Sequence, residues 1–268
     1  MAKYKKKRAR ELRQDKFRDA TMVFFDRLSQ RLEGKGRAIL QGLAGALLVG
    51  IVIWVGVSRH RKHANEAQAA LGRAIRITTA SVSSTSSGSE GELKFSSEQE
   101  RAQRAIDEFQ KVAAKYGDPY RAEARYFIAA NLLYVDRGKG VSDLTELAKS
   151  SISYVATLSK FALAQANETD GKYDAAAAIY LDLAKQNSTV ITPETANLRL
   201  AMVYEKQGKK KEAADLLFNL VDGARKARDA EGKPLAQSQA ARDAAKELQK
   251  LDPDRYAQLP PEAPSLGF

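Results

Sequence analysis

Cysteine is absent from this 268-residue chain, histidine occurs twice and tryptophan once. Without cysteine there can be neither disulfides nor thiolate metal sites, so packing alone must hold the core. His60 and His63 are three residues apart and share a helix face, but no carboxylate lies closer than Glu66. In their basic segment they read as interfacial residues, and neither a metal nor a cofactor is expected. A nucleophile elbow, a Rossmann glycine fingerprint and a phosphate loop are also missing. Gly138-Lys139-Gly140 lacks the Lys-Ser/Thr of a phosphate loop and reads as a turn between helices. Aspartates and glutamates are scattered near lysines, as on solvated helix faces. No catalytic residue is expected, and the chain is not read as an enzyme.

Long apolar runs are scarce too, as the mean hydropathy of −0.44 implies. The exception is residues 38–57, twenty residues without a charge, whose one strongly polar side chain is Gln41. As a helix this run spans about 30 Å, the thickness of a bilayer core. The basic stop Arg59-His60-Arg61-Lys62 follows it, where a signal peptide would show a cleavage site. The run therefore predicts a single transmembrane helix that contacts the lipid bilayer. Within it Gly42, Ala46 and Gly50 are spaced by four, and Trp54 continues their face. Small residues at that spacing form a stripe on which a neighbouring helix can pack closely.

Residues 1–37 form a basic arm, with 13 Lys and Arg against 5 Asp and Glu, a net of +8. A short basic arm is retained in the cytoplasm, which sends the longer C-terminal part across the membrane. Anionic lipid is a possible ligand of the tip from Lys3 to Arg10. Nucleic acid is disfavoured because no aromatic-rich or groove-reading element accompanies the charge. Phe17, Thr21, Phe24, Leu28 and Leu32 share one face of an amphipathic helix in the same arm.

Beyond the span the chain is alanine-rich and helical, with glycine at intervals. Ile128-Ala129, Leu163-Ala164 and Leu200-Ala201 are large-then-small pairs, each followed by a turn glycine at 138, 171 or 208. A second helix follows each turn, with Ala176 before Ile179-Tyr180 and Ala213 before Leu216-Leu217. This pattern resembles the tetratricopeptide repeat (TPR), which implies an all-α solenoid of helical pairs. An earlier pair is read from His63–Ala80 and Gln103–Pro119. The repeat domain is placed at residues 58–258, with a Ser/Gly-rich flexible insertion at about 81–97 and a Pro-rich disordered tail at 259–268. A polar helix between Pro234 and Leu259 suits the end of the stack.

Such an array lines its concave side with the first helix of each pair. Carrying the repeat's offsets onto Leu163-Ala164 and Leu200-Ala201 puts Phe161, Gln165 and Glu168 beside Leu198, Met202 and Glu205. The expected groove is an apolar strip edged with acid and amide groups, suited to an extended or helical protein segment.

The order of parts, with Glu66, Ala67 and Leu71 just after the span, resembles the YfgM-like ancillary subunits of the bacterial Sec translocon. That resemblance implies a single-pass inner-membrane protein with its repeats in the periplasm. Its expected partners are translocon subunits, chaperones or translocating clients. Two other readings stay open: a general envelope-assembly scaffold, and an RNA- or ribosome-facing membrane protein that works through its basic arm.

Overall fold

The computed structural model describes Trp54, residues 62–83 and residues 93–262. Two compact units divide the chain, Met1–Asn65 and Glu66–Phe268. In the first, only Trp54 and residues 62–65 are described, and these are helical. The amphipathic arm, most of the expected span and its stripe Gly42, Ala46 and Gly50 lie outside the described residues. Among the described residues no helix is long and apolar enough to cross a membrane.

The second unit opens with helix α1 (residues 66–78). Seven long helices follow in order: α2 (Glu98–Lys115), α3 (Tyr120–Val135), α4 (Arg137–Leu147), α5 (Ser153–Thr169), α6 (Tyr173–Ala184), α7 (Pro193–Lys206) and α8 (Lys210–Lys226). Then come α9 (Gln239–Leu251) and the one-turn α10 (Pro253–Tyr256). Helices α1/α2, α3/α4, α5/α6 and α7/α8 form consecutive hairpins, and α9 closes the far end.

Helical spacing of small and bulky residues builds each hairpin. Ala67, Leu71, Ala74 and Ile77 of α1 pack on Ala105, Phe109 and Val112 of α2. Phe109 then stacks on Phe127 of α3, with ring centroids 4.8 Å apart, which joins the first pair to the second. Ala164, Ala176, Tyr180, Leu183, Leu200 and Val203 are fully buried in a shared core of α5, α6 and α7. A fully buried Leu or Val contributes about 1.5–3 kcal/mol, and alanines between such residues let the helix axes approach.

The turns of the third and fourth pairs are two copies of one device. Gly171 and Gly208 adopt φ of 71° and 75°, a left-handed conformation open to glycine at no steric cost. The amides of Gly171 and Lys172 return to the carbonyls of Glu168 and Asn167, and those of Gly208 and Lys209 to Glu205 and Tyr204. This Schellman arrangement satisfies carbonyls that a helix end would otherwise leave open. The expected turn at Gly138-Lys139-Gly140 is different. All three residues lie inside α4, because Asp136 accepts from the Lys139 amide at 3.0 Å and starts the new helix at once.

Two further boundaries shift. Both ends of the 81–97 insertion are structured: Ser81–Val82 (β1) pairs in parallel with Lys94–Phe95 (β2), and Ser97 caps α2. Residues 84–92 lie outside the described set. At the C-terminus Leu259 is buried against α8 and α9, and Pro260 accepts from Arg225. The packed domain therefore extends past residue 258, because an apolar side chain there completes the last core.

Candidate functional site

The first helices of successive pairs, α3, α5 and α7, line a cleft of about 680 Å³. Thr78, at the end of α1, closes one side. Helix α3 contributes an aromatic wall of Tyr126 and Phe127, with Tyr134 two turns further along the helix. Tyr126 meets Phe127 edge-on at 5.1 Å. Tyr134 remains 53% exposed, a large apolar ring facing solvent. Asn131, buried between them, donates to the Phe127 carbonyl at 2.7 Å.

Gln165, Glu168 and Thr169 come from α5, and Arg199 and Lys206 from α7. Glu168 is only 6% exposed. Arg199 donates to both of its oxygens at 2.8 Å, and the Tyr180 hydroxyl donates to Oε1 at 2.5 Å. A buried carboxylate is costly unless paired and hydrogen-bonded, and these donors supply both. Burial, followed by the bond to Glu168, pushes the Tyr180 hydroxyl well above the ordinary tyrosine range. The ammonium of Lys206 stands 3.6 Å from Oε2 of Glu168 and 5.9 Å from the ring centroid of Tyr173.

At the rim Arg137 bonds Asp170 through Nε at 2.7 Å and the Ala166 carbonyl at 2.8 Å. The hydrogen bond from Arg137 holds the Asp170 carboxyl below the usual range. The start of α4 is thereby tied to the end of α5.

Of the six residues expected in the groove, Gln165 and Glu168 line the cleft. Phe161 is half-buried in the α5/α6 core, edge-on to Tyr180 at 5.7 Å. Leu198 is half-buried too, packed on the core of α7, α8 and α9. Met202 is half-buried and Glu205 exposed, and neither lines the cleft. On α7 the lining residues are Arg199 and Lys206, each one position past an expected one, while Val203 is buried in the core. The expected acid and amide, Glu168 and Gln165, are present, and Arg199 and Lys206 add cations to that edge. Applied to Ile128-Ala129, the same offsets give Tyr126, Ala130 and Leu133, all of which line the cleft. That large-small pair carried the signal for Tyr126, one of the three rings of the wall. Among the described residues no group of His, Asp and Glu could hold a metal ion.

No family model and no curated protein sequence matches the chain. Among solved structures, the chain is similar to a Podosopora anserina protein assigned as a kinesin light chain, with nearly identical TPR-like repeats. The two share 17% identity at a TM-score of 0.42, over 56% of this chain and 77% of that one.

Proposed function

We propose that this protein is a membrane-anchored scaffold that holds protein segments in the cleft between α3, α5 and α7. The observation that carries this reading is the cleft itself: about 680 Å³, open to solvent, aromatic on one wall and polar on the other. Concave surfaces of this composition suit an extended or helical segment. The uncharged run 38–57 and the basic arm before it support an anchor in the inner membrane with the arm in the cytoplasm. The resemblance to translocon accessory subunits favours a role beside protein translocation or in envelope quality control.

A photo-crosslinking amino acid at Gln165 tests the cleft, with Lys111 on the outer face of α2 as control. Cross-links to proteins from position 165 and none from position 111 are expected in growing cells. Equal yields from both positions would remove the cleft as the binding surface. Mass spectrometry of the cross-linked species then separates translocon subunits and their clients from other envelope proteins.

A further inference from the structure

We propose that the segment held in the cleft is acidic, with a carboxylate next to an aromatic or aliphatic side chain. The carboxylate faces Lys206 and the apolar group lies on the α3 wall. The inference rests on the cleft reading above and names the chemistry of its ligand.

The balance of charge carries it. Glu168 is the one carboxylate among the lining residues, and Arg199 already holds both of its oxygens at 2.8 Å. Arg137 is matched by Asp170. Lys206 adds a second cation to the Glu168 node, at 3.6 Å and with 48% of its side chain exposed. Two cations against one carboxylate leave a surplus positive charge at the cleft surface. An incoming carboxylate meets that surplus, whereas a basic segment adds like charge to it. In the same cleft the exposed ring of Tyr134 offers an apolar surface. Single-stranded nucleic acid, by contrast, needs a basic groove that follows several phosphates.

The test is fluorescence anisotropy on the full-length protein in detergent micelles. Three labelled decapeptides share one apolar pattern: GEFEELEEFG, GQFQQLQQFG and GKFKKLKKFG, with labelled oligothymidine as a fourth probe. The acidic peptide is expected to bind about tenfold tighter than the amide peptide, with the basic one weakest. Lys206→Gln should abolish the preference and Lys206→Arg retain it, both with unchanged thermal melting. Lys233→Gln, in an exposed loop far along the chain, should leave it intact.

Equal affinity for the acidic and amide peptides overturns the acidic preference, and the cleft reading survives if Gln165→Trp weakens both. Binding that ignores Gln165→Trp, or no peptide binding at all, removes the cleft reading as well. A preference lost equally in Lys233→Gln and Lys206→Gln would trace to the chain's net charge of +11, and the proposal fails. Tighter, Lys206-dependent binding of oligothymidine would replace the peptide with nucleic acid.

Discussion

Glu168 shows how one residue joins three helices. Its carboxylate, on α5, takes hydrogen bonds from Tyr180 on α6 and Arg199 on α7. Glu168→Gln leaves the half-buried guanidinium of Arg199 without its counter-charge, and stability is expected to fall by about 2–3 kcal/mol. Tyr180→Phe removes one hydrogen bond and should cost about 1 kcal/mol. Urea denaturation of the two variants checks both values, and a smaller loss in Glu168→Gln than in Tyr180→Phe would contradict this account of the node. A second tyrosine gives a pH signature. Burial, then the neighbouring Glu123 carboxylate at 3.2 Å, pushes Tyr154 up to about 12. An unfolded tyrosine titrates near 10. The stability linked to Tyr154 is therefore complete below pH 10 and is lost as the pH rises through about 12. Tyr154→Phe should flatten the fall in stability across that window, as read by denaturation at pH 9, 10 and 11.

At the scale of the element, the second pair depends on close backbone contact. A Cβ added at Gly140 would lie 2.8 Å from the Leu133 amide nitrogen and 3.0 Å from the Ala129 carbonyl oxygen. These are backbone atoms of α3 and cannot rotate away, so Gly140→Ala should destabilise by about 1–3 kcal/mol. At Gly138 the nearest such atom is an Asp136 carboxylate oxygen at 3.7 Å, and alanine there should be neutral or slightly stabilising. Comparing the two melts separates steric contact from helix propensity. Helix α7 starts on a side-chain cap, in which Thr192 accepts from the Thr195 amide at 3.2 Å and Pro193 takes the first helical position. Thr192→Ala should cost about 1 kcal/mol. Local protection of the first turn of α7 in hydrogen exchange should fall with it.

Over the whole molecule, the stack behaves as a row of neighbours, each pair stabilised by the next. Helix α9 covers Leu217 and Val221 of α8 with Ala244 and Leu248. Truncation after residue 237 uncovers those side chains and should cut exchange protection most in α7 and α8, least in α2 and α3. Uniform loss across all pairs would mean that the domain folds as one cooperative block. Topology is tested at the same scale. The chain has no native cysteine, so Ser86→Cys and Ala9→Cys report without background. In cells with an opened outer membrane, an impermeant thiol reagent should label position 86 and spare position 9. Reversed labelling would return the repeats to the cytoplasm.

The helical pairs were legible because their signal is local. Ala67, Leu71 and Ala74, or Ala105, Phe109 and Val112, recur at helical spacing, and Gly171 and Gly208 mark turns whose backbone favours glycine. Composition alone set the absence of disulfides, the basic arm and the uncharged run at 38–57. The cleft was only half legible. Offsets from the large-small pairs found Gln165 and Glu168 and would have found Tyr126. They failed for Phe161 on α5, and on α7, where Arg199 and Lys206 line the cleft in place of Leu198 and Glu205. Rotation about a helix axis is decided by how ridges of one helix seat between those of its neighbours. Ion pairs across elements, such as Glu168 with Arg199, join residues 31 apart and leave no periodic trace. The sequence by itself determined the helices, their pairing and the charge of the arm. Only tertiary packing decided which side chains face the cleft and that cations join the acid at its edge.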